Sequence, residues 1–356
     1  MNEQEQKQWV REAHAQVHDL FERRAHLYWI DLLITACIAW AATYFYFSLT
    51  WGSALQIAAF GVAGIALYRA GTFMHEIIHM PRSEMTGFKR AWNLLIGIPL
   101  LMPWILYRNH IEHHSRAHFG TPRDGEYLPL AAAPLRETVI YLLRLPFLPL
   151  MALARFAIAG PISRFSPPFR SWLLRKGTAY TSNPYYSKPF PQKERSNLEA
   201  AEWMALAWVL FWAALTLFGP VEWIHWLMAW GLHAWTLGLN WVRNLAAHTY
   251  ARRGETMSHL EQLEDSVNIT GQTWLTMWLF PVGLRYHALH HLFPGLPYHS
   301  LGRAHQRLMT HFGPDSPYSV ANYQSYFKVV GTLLKRASAV PQRESAVTIW
   351  RNSQAA

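Results

Sequence analysis

Cysteine is almost absent: the 356 residues contain one, Cys37, and it lies inside an apolar run. A disulfide within the chain and a thiolate metal site are both excluded by that count. A secretory leader is not expected, because residues 1–26 are charged and polar with no apolar core and no small-residue cleavage site. Continuous lipid burial is missing too. Hydrophobic residues make up 51% of the chain, yet its mean hydropathy of −0.02 is too low for a protein lying wholly in a bilayer. A few membrane spans with a large aqueous cap reconcile the two values.

Positive charge is missing from two places that matter. The chain carries 32 Lys and Arg against 22 Asp and Glu, a formal charge of +10. Four of these cations fall in residues 1–30, sixteen in 81–197 and eleven from Arg243 onwards, with Arg69 alone between. None lies in Thr50–Ser53 or at Gly219-Pro220, the short links inside two pairs of apolar runs. Leu27 to Leu49 is 23 residues long, about 35 Å as a helix against roughly 30 Å of bilayer hydrocarbon. A second run goes from Ala54 towards His79, a third from Leu198 to Phe218 and a fourth from Trp223 to Trp241. These predict four transmembrane helices arranged as two hairpins. The positive-inside rule then puts both termini and the long central region in the cytoplasm. The basic charge is topological on this reading, and no nucleic-acid partner is expected.

The expected organisation is an all-α integral membrane protein with a cytoplasmic helical cap. A cytoplasmic N-terminal helix takes 1–26 and the first hairpin 27–80. A cytoplasmic and interfacial region takes 81–197, the second hairpin 198–243, the rest of the cap 244–339 and a flexible tail 340–356. Within the central region, Trp92 to Leu106 has only about 15 residues and two prolines, Pro99 and Pro103. That is too short for an ordinary crossing, so a re-entrant segment over 92–106 is expected. Val139 to Ile162, interrupted by Arg144, Pro146, Pro149 and Arg155, reads as an amphipathic element on the membrane surface.

Histidine is what the chain has in quantity. His110, His113 and His114 form H-x-x-H-H, and His287, His290 and His291 repeat the pattern. His75 and His79 form H-E-I-I-H. Residues three and four apart share a helix face, so each motif can aim its imidazoles at one point. Neutral imidazole is a common ligand for first-row metals, and facing helices are where bundles build metal sites. His75 lies 21 residues after Ala54, and Asn244 lies 21 residues after Trp223. Both helices thus deliver polar groups to one depth, about 32 Å along. Asn244 and His248 follow at i, i+4 on one face. Nine imidazoles exceed what one ion can use, so two metals are expected, with Asn244 reaching one directly or through water. His118 and Asp124 are expected to support ligands rather than bind metal.

These motifs, H-E-I-I-H, H-I-E-H-H, N-L-A-A-H and H-A-L-H-H, resemble the histidine boxes of the membrane fatty acid desaturase superfamily. The resemblance covers roughly Ala54 to Leu308 and implies a cytoplasmic di-iron site on the nine histidines, with Asn244 reaching the metal through water. It also implies O2 as cosubstrate and a fatty acid or fatty acyl chain as substrate, held at the lipid bilayer. The stretch F-G-T-P-R-D-G-E-Y after the second box is similar to bacterial members, which points to a bacterial inner membrane. No H-P-G-G motif of a fused cytochrome is present. Electrons are therefore expected from an external donor, a ferredoxin or cytochrome-type protein with its reductase.

Desaturation is the expected outcome, as the reaction of the largest branch. The bacterial branch also includes decarboxylases that turn a free fatty acid into a terminal alkene; hydroxylation and carotenoid ketolation are further outcomes. Decarboxylation would need a cation near the metals for the carboxylate. Arg69, Arg108, Arg116, Arg243 and Arg285 are the substrate-binding candidates. A metal transporter or sensor is the non-enzymatic alternative. It is disfavoured because transporter ligands cluster at the bilayer midplane, not at one face.

Overall fold

The computed structural model describes residues 1–177 and 183–341, together with 345, 347, 348 and 350. Its backbone is mostly helical, and the long helices pair as the short links require. Ala25–Ser48 and Ala54–His79 run antiparallel across a turn in which Gly52 takes φ +74°. Ser53 starts the second helix by accepting from the Gln56 amide at 3.2 Å, which satisfies one of the otherwise unpaired first-turn donors. Arg195–Phe218 and Trp223–Asn244 form the second hairpin, tied near its turn by Trp226 Nε1 donating to Thr216 Oγ1 at 2.9 Å. The two hairpins meet where Gly64 faces Trp235. A Cβ at residue 64 would fall 1.9 Å from the indole, so glycine sets how closely these helices approach.

Four helical stretches among the described residues are long and apolar enough to cross a membrane: Ala25–Ser48, Ala54–His79, Leu135–Ser163 and Gln192–Phe218. This set differs from the expected one in two members. Trp223–Asn244 has 22 residues, enough for a span, but its tryptophans and histidines lower its hydropathy. Leu135–Ser163 meets the standard despite its prolines, although 3-10 and π turns break its helix. Its contacts place both of its ends at the same end of the second hairpin. Tyr141 stacks on Trp241, three residues before Asn244, and Arg155 reaches Glu202, seven residues into the partner helix, at 2.6 Å.

The segment 92–106 folds back on itself. Asn93–Gly97 is a π turn, Leu101 takes φ +52°, and Met102 N donates to the Gly97 carbonyl at 2.7 Å. Trp92 Nε1 and Trp40 Nε1 pin its descending arm, donating to the carbonyls of Ala70 and Leu95. The segment therefore returns to the side from which it left and delivers Asn109–His113 back to the end of Ala54–His79.

The cap closes over this end. Glu3–Val17 is started by a capping box between Asn2 and Glu5 and packs on Tyr298–Phe312 through Trp9 against Phe312. Arg307 pairs with Asp19 at 2.5 Å along the same seam. Two short parallel strands, Asn268–Ile269 and Asn322–Tyr323, clamp the loop before the last histidine motif. The tail departs from expectation. Ser345, Val347 and Trp350 are fully buried, and Trp350 Nε1 donates to the Arg253 carbonyl at 2.7 Å. Its large ring finds a pocket beside Tyr127, which buried apolar area favours over solvent. The rest of the expected tail, 342–344, 346, 349 and 351–356, and residues 178–182 of the central loop lie outside the described residues.

Candidate metal centre

The nine histidines converge, and they divide. His75, His79, His110, His114 and His290 form one group; His113, His248, His287 and His291 form the other. Within each group all candidate ligand atoms lie within 4.8 Å of one another. The division follows from helix geometry. In each H-x-x-H-H motif neighbouring histidines point about 100° apart, so His113 and His114 go to different groups, as do His290 and His291.

The ring nitrogens are spaced for a shared cation. Nε2 of His113 and His248 lie 3.2 Å apart, His248 and His287 3.1 Å, and His287 and His291 3.2 Å. In the other group His110 and His114 are 3.0 Å apart, and His114 and His290 3.1 Å. Metal–nitrogen bonds of about 2.0–2.1 Å put ligands at right angles roughly 3.0 Å apart. Hydrogen bonding does not account for the spacing, since some Nδ1 atoms face carboxylates that hold the ring proton there. His113 Nδ1 is 2.8 Å from Asp124 and His110 Nδ1 is 3.0 Å from Glu126. Their Nε2 lone pairs then face one another, which a cation relieves. The buried Nε2 atoms of His75 and His79 likewise have no hydrogen-bond partner among the described residues.

Burial also keeps the ligands neutral. It drives the pKa of His110, His114, His248, His287, His290 and His291 well below the usual histidine value. His113 is the exception: burial pulls it down, but the Asp124 carboxylate more than offsets this and raises it. Burial likewise pushes Glu126 up to about 7 and Asp265 up to about 6.

Of the two residues expected to support ligands, Asp124 does so on His113. His118 is a correction. It belongs to neither histidine group, and its Nδ1 has no hydrogen-bond partner among the described residues, because the chain turns at Ser115–Thr121 and breaks the i, i+4 register with His114. Two supports escaped the sequence reading. Glu126 carries His110, and its signal was a second carboxylate two residues past Asp124. Ser266 Oγ and Asp265 back His248 Nδ1 at 3.3 and 3.6 Å, brought there by tertiary folding alone.

The arginines separate clearly. Arg69 pairs with Asp31 at 2.6 Å, Arg108 with Glu194 at 2.6 Å, and Arg285 caps the carbonyls of Ile269 and Thr270. Arg116 lies on an outer groove beside Glu3, Lys7 and His259. These four are therefore not placed as substrate anchors at the metal groups. Arg243 alone of the five lines the cavity between the groups, with His75, His110, His287 and Asn244.

A family model described as fatty acid desaturase matches residues 49–323. The chain is also similar to a ceramide hydroxylase of Caulobacter vibrioides (strain NA1000 / CB15N), with 35% identity over 335 residues, covering 92% of this chain and 93% of that protein. An oxidoreductase follows, and the transporter or sensor alternative is set aside. The chain belongs to the fatty acid desaturase family, as an integral membrane oxidoreductase with two histidine clusters built to bind metal.

Proposed function

We propose that this protein hydroxylates a hydrocarbon chain of a ceramide-type membrane lipid, using O2 and two iron ions, one in each histidine group. The observation that carries the reading is the similarity to a ceramide hydroxylase over nearly the full length of both chains. It moves the choice away from desaturation, which rested on the size of a branch and on no residue of this chain. Iron bound by imidazoles supplies the O2-dependent oxidant for an unactivated C–H bond. Overall, the lipid C–H, O2, two electrons and two protons give the alcohol and water.

The chain's own residues set the conditions. His110, His248, His287 and His290, all buried, and the half-buried His114 and His291 stay neutral and available because desolvation opposes their protonation. Asp124, Glu126 and Ser266 fix ring orientation through Nδ1, with the Asp265 carboxylate 3.6 Å from the same atom of His248. Asn244 sits in the cavity beside His248, positioned to complete the group that has only four histidines. The pairing of Arg69, Arg108 and Arg285 with other protein groups leaves Arg243, of the five candidates, at the cavity, and the preference for a ceramide-type lipid over a free acid rests on the similarity to the ceramide hydroxylase. The two electrons come from a separate ferredoxin or cytochrome-type donor with its reductase. The distribution of Lys and Arg supports a cytoplasm-facing site in a bacterial inner membrane.

Purified protein supplied with iron, reductant and O2 should be offered ceramides, free fatty acids and acyl thioesters, and the products resolved by mass spectrometry. The expected product is a ceramide with one added oxygen that carries label from isotopic O2. Loss of two hydrogens with no oxygen gained would restore desaturation; loss of the carboxyl carbon from a free acid would restore decarboxylation.

A further inference from the structure

Between the two histidine groups lies a cavity of about 10 Å³, room for roughly one oxygen atom or water. Its walls include His75, His110, His113, His248 and His287, drawn from both groups, with Tyr107, Glu126, Arg243 and Asn244. Most polar atoms here are already engaged. Tyr107 OH donates to Glu126 at 2.9 Å, and Tyr250 OH donates to the Asn244 carbonyl at 2.7 Å.

Arg243 is different. Its side chain is only 6% exposed, and Nη2 donates to Asn240 Oδ1 at 2.7 Å. Its Nε is buried with no hydrogen-bond partner among the described residues; the Tyr68 hydroxyl lies beside the guanidinium and Glu126 lies near enough to feel its charge, without an ion pair to it. An unsatisfied buried donor on a charged group is costly, and two metal ions nearby would add repulsion. An oxygen acceptor lodged in the cavity would relieve both.

We infer that Arg243 is a specificity-determining residue, whose guanidinium holds a carbonyl or hydroxyl oxygen of the lipid headgroup in this cavity. This rests on the proposed hydroxylation of a ceramide-type lipid. It adds a regiochemistry. A carbonyl oxygen is about 2.4 Å from the adjacent chain carbon, given bonds of about 1.23 and 1.52 Å. The carbon presented to the metals is then within a few bonds of the polar head, not in mid-chain.

The test varies both partners. With wild-type protein, KM and lipid-induced thermal stabilisation are measured for a ceramide and for an analogue whose amide carbonyl and hydroxyls are removed. The same pair is then run on Arg243→Met and on the charge-retaining Arg243→Lys, with iron content checked in each. The expected result is a KM at least about tenfold higher for the analogue with wild type. Arg243→Met should erase that difference and the extra stabilisation while keeping its iron, and Arg243→Lys should recover part of both. Hydroxyl groups should map near the head in wild type and scatter along the chain in Arg243→Met. The inference is overturned if Arg243→Met keeps wild-type KM, stabilisation and product position, whether or not its kcat falls, since a loss of kcat alone assigns Arg243 to water or O2. It is also overturned if Arg243→Lys loses iron as Arg243→Met does, because the role is then structural. Should wild-type protein not bind or oxidise ceramides, the proposed function itself fails. The comparison is then run on whichever acyl lipid is consumed, with and without its carbonyl.

Discussion

Asp124 holds His113 by a contact of 2.8 Å between its Oδ2 and the imidazole Nδ1, and both side chains are buried. The carboxylate is itself fixed, accepting the backbone N–H groups of Gly120, Glu126 and Tyr127 at 3.0, 2.9 and 3.1 Å. A single loop thus sets the ring of one ligand, and that ring's Nε2 faces the second histidine group. Burial would raise the Asp124 pKa, but the His113 ring and these backbone donors more than offset it and keep the carboxyl below its usual range.

Removing that charge should weaken one metal site selectively. Asp124→Asn keeps the size and most of the backbone bonds but turns an amide towards His113. Loss of such a carboxylate support typically costs 10–100-fold in metal affinity, roughly. In a titration at buffered free iron, the variant should fill its tighter site normally and its second only at higher iron. A superimposable two-site isotherm would show that Asp124 does not tune the ligand.

The division into two groups makes a second prediction. His290 belongs with His75, His79, His110 and His114, whereas its neighbour-but-two His287 belongs with His113, His248 and His291. His290→Ala and His287→Ala should each abolish turnover yet empty different sites, leaving about one iron per chain. Mössbauer spectra of the two variants should differ, since the remaining iron sees the intact four-histidine group in His290→Ala and the intact five-histidine group in His287→Ala. Identical spectra, or two irons retained with full turnover, would refute the division.

How much of this was legible can be traced residue by residue. The histidine motifs were, because contiguous i, i+3, i+4 spacing already fixes which rings share a face. Asn244 was found by counting helix rise. Asp124 and Glu126 lie just after the second motif and only half announced themselves. Ser266 and Asp265 could not be found, since 18 and 17 residues of chain fold back before they meet His248. The five arginines look alike in sequence; what separates Arg243 from Arg69 is a partner, Asp31, on another helix. Trp223–Asn244, expected as the fourth span, has the length but falls short in hydropathy, as tryptophan covers a large apolar surface with a polar N–H.

Trp350 corrects the expectation of a loose tail and carries its own prediction. Its ring is fully buried next to Tyr127, whose ring lies 5.7 Å from that of His248. Truncating a buried Trp to Ala typically costs about 3–5 kcal/mol. Trp350→Ala should lower the thermal unfolding midpoint in detergent and reduce iron retention in the His113–His248 group first. Trp350→Phe should restore most of both. An unchanged midpoint would mean the tail does not support the site.

The last prediction concerns the segment that composition and contacts describe differently. Leu135–Ser163 is long and apolar enough to cross a bilayer. Yet Tyr141 stacks against Trp241 at 5.3 Å between ring centroids, near the end of the helix that delivers Asn244. At its other end Arg155, Arg164 and Arg170 all reach Glu202, near the start of the antiparallel partner helix. Those two helix ends lie together, because Gly219-Pro220 turns the hairpin at the far side. A segment with both ends at one end of a hairpin returns to the side it left, here after dipping as far as Trp230, whose Nε1 donates to the Pro146 carbonyl at 2.7 Å, and a crossing would separate its ends by roughly 30 Å. Single cysteines at Arg136, Arg164, Gly219 and Arg253, in a Cys37→Ser background, can be probed with a membrane-impermeant maleimide in intact cells and in inverted vesicles. Cysteines at 136, 164 and 253 should react from one side and the cysteine at 219 from the other. Opposite accessibility of 136 and 164 would make Leu135–Ser163 a true span and force the second hairpin into a different topology.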